Sequence, residues 1–272
     1  MPRERSVKET LGLVVRWLAA LRLSSPPWCT DLLVAAAMAC GGVVYAFHLH
    51  SVGNPSWVPD GQDWQDFVIT AWDIASGRVR ESNRYPFYPF LGQWLAQVEG
   101  VSIVLACMQI SIVSAGLLPA ALFILGRQIA PLPVALAGAS IVLHYPILIE
   151  MLGPATDYLL YSLINALCLG AGIAALRSGG ALKFLGFGVC LALLMATDAK
   201  ALAVLLLSVP AAFVAMVWHG GFWRSRKAAA KTFITLVLFV APLVVTWGTY
   251  SSLRPGLKLP ALEGLVFRSL MD

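Results

Sequence analysis

Residues 101–126 read VSIVLACMQISIVSAGLLPAALFILG and contain no Asp, Glu, Lys or Arg. A helix needs roughly 20 apolar residues to cross the hydrocarbon core of a bilayer, so this stretch is long enough for one crossing. Further apolar stretches lie near residues 31–49, 132–149, 158–176, 181–197, 201–218 and 232–249. Two of them, 132–149 and 181–197, are short. The sequence therefore predicts an all-α polytopic membrane protein with about seven transmembrane helices.

The composition of the whole chain indicates the same class. Hydrophobic residues make up 59% and charged residues 12% of the chain, whereas soluble domains are roughly 45–50% apolar and about 25% charged. The net charge of +5 does not require a nucleic-acid partner, because basic residues of membrane proteins gather in cytoplasmic loops. The cysteines form no CxxC pair and most lie in apolar stretches, so neither a disulfide framework nor a zinc site is predicted.

The distribution of Lys and Arg predicts the orientation. With the N-terminus inside, twelve of the 19 basic residues fall on cytoplasmic segments and seven on outer segments, which favours a cytoplasmic N-terminus and an extracytoplasmic C-terminus. We expect residues 1–30 to form a cytoplasmic amphipathic segment, 31–250 the transmembrane module, and 251–272 an extracytoplasmic tail. The outer loop 50–100 would then share the outer face with Asp157 and Lys200.

The outer loop contains a stretch that can be written as a helix from Asp63 to Ser76. Its apolar face, which we expect to lie on the membrane or on the bundle, is formed by Trp64, Phe67, Val68, Ala71, Trp72 and Ala75. Its polar face is formed by Asp63, Asp66, Thr70 and Asp73. A solvated polar face explains Asp73 and is an equal alternative for Asp66. Asp63 begins the helix, where its carboxylate could cap the N-terminus or project into a cavity.

These residues resemble a known group of enzymes. Asp63 follows the first span, Phe67 lies four positions on and Gly77 fourteen positions on, a pattern similar to the first outer loop of GT-C glycosyltransferases. This group includes protein O-mannosyltransferases and aminoarabinose transferases, which use polyprenyl-phosphate-linked sugars. Arg84-Tyr85-Pro86-Phe87-Tyr88-Pro89 is similar to their Lys-Pro-Pro-Leu-Tyr element. Three further motifs look like theirs in the same order, namely Leu125-Gly126-Arg127, Gly153-Pro154-Ala155-Thr156-Asp157 and Leu193-Leu194-Met195-Ala196-Thr197-Asp198-Ala199-Lys200.

The resemblance implies a membrane glycosyltransferase that moves a sugar from a polyprenyl phosphate to a hydroxyl acceptor of the cell envelope on the outer face. Asp63 would be the catalytic base, and Arg84 would hold the phosphate. The expected substrate-binding residues are Arg84, Asp157, Asp66, Lys200 and Tyr88. Asp63, Asp66 and Asp157 could also share a divalent ion, for which oxygen ligands favour magnesium or manganese.

Other interpretations stay open. Arg84 could anchor the chain among lipid headgroups, Asp157 could be an ordinary first-turn helix residue, and Lys200 could be a snorkelling side chain at a helix end. Family members continue with further helices, so the resemblance covers their N-terminal seven-helix module, and a membrane partner would supply the rest. The alternatives to an enzyme are a non-catalytic membrane subunit or a truncated remnant. A transporter or flippase is less favoured, because the spans lack charges near their middles and paired broken helices.

Overall fold

The computed structural model describes residues 27–52, 62–77, 85–142, 144, 152, 156–198, 200–223 and 225–253. All regular structure in these ranges is helical. The predicted N-terminal amphipathic segment, Arg84 and the predicted C-terminal tail lie outside the described residues, and so does the side chain of Asp63. The predicted helical class is therefore confirmed for the described residues.

The described helices are α1 (Pro27–Val52), α2 (Gln62–Ala75), α3 (Phe87–Glu99), α4 (Ile103–Ile129), α5 (Leu132–Val142), α6 (Tyr158–Ser178), α7 (Ala181–Thr197), α8 (Ala201–Gly220) and α9 (Arg226–Leu253). Five of them, α1, α4, α6, α8 and α9, are long and apolar enough to cross a membrane. The protein is thus a multi-pass membrane protein. The predicted stretch 181–197 agrees with α7, whose 17 residues are short for a span, whereas the stretch 132–149 contains only the 11-residue α5 among the described residues. Five long spans are therefore found where about seven were predicted.

The long helices pack side by side in an order that differs from their order in the sequence. α1 packs on α4, α4 on α6, α6 on α7, and α7 on α9, while α8 contacts α6, α7 and α9 less extensively. The apolar cores therefore form between these neighbours. One core joins α1, α4 and α6, and another joins α6, α7, α8 and α9.

Side-chain hydrogen bonds fix the relative direction of the helices. At the start of α6, Ser111 Oγ donates to the backbone oxygen of Thr156 at 3.0 Å. Near the end of α4, Gln128 Nε2 donates to the backbone oxygen of Gly170 in the second half of α6 at 2.8 Å. α4 and α6 therefore run parallel. Asp31 near the start of α1 pairs with Arg127 near the end of α4, so α1 and α4 are antiparallel.

These directions define two ends of the bundle. We call the end where α6 begins the carboxylate end, because Asp157 begins α6 there and Asp198 ends α7. We call the opposite end, where α6 stops, the basic end. Of the Lys and Arg residues that the structure describes, Lys200 lies at the carboxylate end, and the others lie at the basic end: Arg127, Arg177, Lys183, Arg226, Lys227 and Lys231.

Two helix pairs approach each other at glycine. A Cβ on Gly42 of α1 would collide with the backbone oxygen of Gly116 on α4, and a Cβ on Gly116 would collide with the backbone of Val43. A Cβ on Gly188 of α7 would likewise collide with the backbone oxygen of Phe239 on α9. Small residues at such crossings allow backbones to touch, which is how helices gain contact area inside a membrane.

Candidate functional site at the carboxylate end

Helices α2 and α3, which lie in the loop between the spans α1 and α4, cover one side of the carboxylate end. α2 packs on α3 and on α4, and the Phe67 and Tyr88 rings meet edge to face with their centroids 5.2 Å apart. The helix predicted from Asp63 to Ser76 is confirmed, with α2 spanning Gln62–Ala75. Asp66 lies in this helix and is half-buried. α2 thus holds Asp66 near the start of α4.

The faces of α2 differ from the prediction at Thr70, which was expected on the polar face but is buried. Trp72, expected to face the membrane or the bundle, is 64% exposed, as a membrane-facing side chain would be. Phe67, Thr70 and Ala71 form the buried stripe, at the i, i+3, i+4 spacing of one helix face. Thr70 tolerates burial because its hydroxyl donates to the backbone oxygen of Asp66 at 2.7 Å. Trp72 lies one residue beyond this stripe, where an amphipathic ring suits a membrane interface.

Tyr88 is fully buried where α3 meets α4. Its hydroxyl donates to the backbone oxygen of Cys107 at 2.8 Å and lies 3.0 Å from Ser111 Oγ. Burial, followed by the electrostatic effect of Cys107, raises the pKa of the Tyr88 phenol well above its usual value. The hydroxyl therefore stays neutral and is already bonded. The predicted contact of Tyr88 with substrate stays a prediction, and its buried and bonded hydroxyl favours a structural role.

Asp157 lies at the start of α6 and is 5% exposed. It occupies the N-cap position with helical backbone angles and makes no side-chain capping hydrogen bond. The carboxylate is close enough to Tyr88 and to Tyr161 to act electrostatically on both phenols. Asp157 brings α3, α4 and α6 together around one buried carboxylate.

Lys200 lies in the turn between α7 and α8. Its side chain is 66% exposed, and its Nζ is 3.8 Å from Asp198 Oδ2 and 5.3 Å from the centre of the Tyr158 ring. The Lys200 backbone N–H donates to Asp198 Oδ1 at 2.9 Å. Asp198 therefore holds both the turn and the ammonium group beside the start of α6. The long stem and exposed head of Lys200 also fit the snorkelling interpretation.

Four of the predicted site residues lie at the carboxylate end of the bundle, namely Asp66, Tyr88, Asp157 and Lys200. Asp63 begins the same helix as Asp66, but its side chain and all of Arg84 lie outside the described residues, so their predicted roles stay predictions. Sequence reasoning missed Asp198 as a site residue. The signal that could have found it is its spacing two residues before Lys200, which lets a carboxylate bond the backbone of the turn.

A metal site of the predicted kind does not form from the described side chains. Within them, no group of three His, Cys, Asp or Glu residues is placed to hold a metal ion. Of the predicted ligands Asp63, Asp66 and Asp157, the side chain of Asp63 lies outside the described residues. Two described carboxylates, those of Asp66 and Asp157, are therefore left. Two carboxylates and ordered water can still bind magnesium, which usually keeps several waters.

An apolar groove of about 510 Å³ lies farther along the bundle, between the end of α7, the first half of α8 and the second half of α9. Its walls are formed by Met195, Leu205, Leu206, Val209, Pro210, Leu243, Val244 and Trp247. The groove therefore lies in the half of the bundle nearer the carboxylate end. Comparisons with protein-family models, with curated proteins and with solved structures give no match to this chain.

Proposed function

We propose that the chain is a membrane glycosyltransferase, or the N-terminal module of one, that transfers a sugar from a polyprenyl phosphate to a hydroxyl acceptor. The observation that carries the proposal is that Asp66, Asp157 and Lys200 lie at the same end of an apolar bundle, with Lys200 Nζ 5.3 Å from the ring of Tyr158 next to Asp157. These residues come from three separate stretches of the sequence. Carboxylates beside a cation at the edge of a membrane are what sugar transfer from a lipid phosphate requires.

The roles follow from the chemistry of the transfer. Asp63 takes the proton of the acceptor hydroxyl as its oxygen attacks the anomeric carbon, and the bond from that carbon to the phosphate oxygen breaks. Attack from the face opposite the leaving phosphate inverts the anomeric centre. Arg84 holds two phosphate oxygens with its planar guanidinium, which suits that geometry better than an ammonium group. Lys200 is a second phosphate contact, and Asp66 and Asp157 accept hydrogen bonds from sugar or acceptor hydroxyls.

The orientation belongs to the same proposal. The basic end faces the cytoplasm and the carboxylate end faces the outside, in agreement with the bias of Lys and Arg towards cytoplasmic segments. α4 and α6 run parallel, so the chain between them returns from the basic end to the carboxylate end. α7 also runs back between α6 and α8. Counting these two returns with the five long helices gives seven passes and leaves α9 ending outside.

The test of function is sugar transfer by the purified chain in lipid vesicles. A polyprenyl phosphate carrying a radiolabelled hexose is the donor, and release or transfer of the label is measured. The wild-type chain is expected to bind the lipid and to release the sugar, whereas Asp63→Asn binds but turns over slowly. If the wild-type chain neither binds the lipid nor turns it over, alone or in membranes containing its native partners, the proposal is wrong. A non-catalytic subunit would then be the better explanation.

The test of orientation is cysteine labelling in a variant whose native cysteines are replaced. Ser225 lies at the basic end just before α9, and Ser82 lies in the outer loop of the sequence. In intact cells, a membrane-impermeant maleimide is expected to label Ser82→Cys and to spare Ser225→Cys. The opposite pattern would invert the topology and remove the outer-face site. Both variants should react after the membrane is permeabilised, which controls for folding.

A further inference from the structure

Among the described residues, one buried hydroxyl at the carboxylate end has no hydrogen-bond partner. Thr156 is 5% exposed, and within the described residues its Oγ1 has no hydrogen-bond partner. Its backbone oxygen is bonded, because it accepts from Ser111 Oγ at 3.0 Å. Of the polar atoms discussed for Thr156, it is therefore the side-chain hydroxyl, next to Asp157 and immediately before α6, that lacks a partner among the described residues.

The neighbouring buried hydroxyls are all bonded. Thr70 donates to Asp66, Thr197 donates to the backbone oxygen of Leu193 at 2.7 Å, and the Tyr88 hydroxyl bonds Cys107 and Ser111. Thr70 and Thr197 lie inside helices, so each finds the carbonyl four residues earlier. Thr156 lies before α6, so that helix has no carbonyl four residues earlier to accept from its hydroxyl. An unpaired buried hydroxyl lowers stability, which native proteins avoid unless the group has another use.

Two other buried polar atoms also have no partner among the described residues, Gln109 Oε1 and Asn165 Oδ1. Both belong to residues inside the apolar spans α4 and α6. Thr156 differs because it lies outside the spans, at a helix N-terminus and beside the Asp157 carboxylate. A threonine hydroxyl both donates and accepts, and a carboxylate has lone pairs for several hydrogen bonds. Together they match a ligand that carries hydroxyl groups.

We propose that Thr156 is a ligand contact that, with Asp157, receives a hydroxyl group of the sugar on the lipid donor. This inference rests on the proposed function and deepens it, because it assigns the sugar to the start of α6 while the phosphate is held elsewhere. Thr156 donates to or accepts from one sugar hydroxyl, and Asp157 accepts from the same or the adjacent one. Because Thr156 is buried in the free protein, the sugar has to displace the side chains that cover it.

The first experiment measures stability without ligand. Thr156→Val keeps the shape of the side chain and removes the orphan hydroxyl, so its melting temperature is expected to equal or exceed that of the wild type. Thr197→Val is the matched control, because it removes a buried hydroxyl that is bonded, and its melting temperature should fall by about 2–4 °C. If Thr156→Val lowers the melting temperature as much as Thr197→Val, the Thr156 hydroxyl is bonded, for example to a trapped water, and the inference is overturned.

The second experiment compares two lipids, a polyprenyl phosphate carrying a hexose and the same polyprenyl phosphate without sugar. The wild type should bind the first more tightly. Thr156→Val should weaken binding of the sugar-bearing lipid about three- to tenfold, the effect of one uncharged hydrogen bond. Thr156→Val should not change binding of the lipid without sugar. Thr156→Ser should again bind the sugar-bearing lipid more tightly than the lipid without sugar.

The outcomes separate this inference from the proposed function. If the wild type binds both lipids equally, or if Thr156→Val binds both as the wild type does, the sugar contact is wrong while lipid-phosphate binding stands. If the wild type binds neither lipid, the proposed function and the sugar contact are both wrong.

Discussion

The two ends of the bundle contain similar numbers of helix termini, but they use their polar side chains differently. At the basic end, the cations bond helix carbonyls. Arg127 pairs with Asp31 at 2.8 Å and donates to the backbone oxygen of Ala130 at 3.0 Å. Arg177 donates to the backbone oxygen of Gln128, and the His219 ring bonds that of Leu176. Cations at helix C-termini satisfy carbonyls that lack intrahelical partners.

At the carboxylate end the helix termini are less completely satisfied by their own side chains. Asp157 makes no capping bond to its own helix, although its side chain has other interactions, and the Thr156 hydroxyl is unpaired among the described residues. Only some of these charges complement the helix dipoles: Asp157 lies at the start of α6 and Arg177 at the end of it, whereas Asp198 lies at the end of α7. This difference indicates that lying at an end of the bundle does not by itself identify a polar residue as functional. The polar groups left over after the fold is held together are the better candidates.

The largest expected effect tests whether the carboxylate end performs chemistry. Asp63→Asn removes the proposed base while keeping the size of the side chain, so the rate of sugar transfer should fall by about 10²–10⁴. Asp73→Asn, in the same helix, is the matched control and should change the rate little. Equal rates for both variants in the labelled-lipid assay would mean that Asp63 is not the base.

A second change tests whether the basic end is structural. Arg127→Met breaks the pair with Asp31 and the bond to Ala130, so the free energy of unfolding should fall by about 1–3 kcal/mol. The transfer rate per folded molecule should stay unchanged. Lys183→Met is the control, because Lys183 is exposed at the same end. Thermal unfolding in detergent gives the stability. If Arg127→Met lowered the transfer rate but not the stability, the basic end would not be purely structural.

A smaller effect is expected at Tyr88. Tyr88→Phe keeps the buried ring and removes the hydroxyl that bonds Cys107 and Ser111, so stability should fall by about 1 kcal/mol. The Michaelis constant for the lipid donor should not change, because the hydroxyl is buried inside the fold. A raised Michaelis constant with unchanged stability would instead restore the role in substrate binding that its motif suggested. Tyr85→Phe, in the same motif but half-buried, is a useful comparison.

The smallest effect on stability is expected at Lys200. Its pair with Asp198 is solvent-exposed on one side, and such pairs contribute less than about 1 kcal/mol. Lys200→Met should therefore leave the melting temperature almost unchanged. If Lys200 contacts phosphate as proposed, binding of the bare polyprenyl phosphate should weaken and become less sensitive to salt. Unchanged binding would leave Lys200 as a snorkelling side chain.

The sequence predicts the helices well, because an apolar run of spanning length has few alternatives in a membrane. α1, α4 and α6 begin or end within a few residues of the expected bounds. The extent of α5 was not predictable in the same way. Residues 132–149 contain no Asp, Glu, Lys or Arg, yet α5 stops at Val142, shortly before Pro146, which cannot continue a helix ladder.

The site was only partly predictable. The gathering of Asp66, Asp157 and Lys200 follows from assigning each loop to one side of the membrane, which uses charge counts alone. The burial of Tyr88 does not, since it depends on α3 folding onto α4. There the glycine at position 92 allows Cys107 to approach closely. Which face of α2 is buried likewise depends on the Thr70 hydroxyl reaching its own helix backbone, which hydrophobic periodicity does not report.

The contact between Gly42 and Gly116 has a consequence for how the protein is made. α1 and its partner α4 are separated by about 70 residues of chain, and at roughly 5–20 residues per second the ribosome needs some 4–15 s to synthesise that interval. During this time α1 stands alone in the bilayer. Its span has a mean hydropathy of 1.9, and only 17% of it is buried even after assembly. α1 is therefore apolar enough to be stable in lipid before α4 is made. Asp31 can pair with Arg127 only after Arg127 has been synthesised.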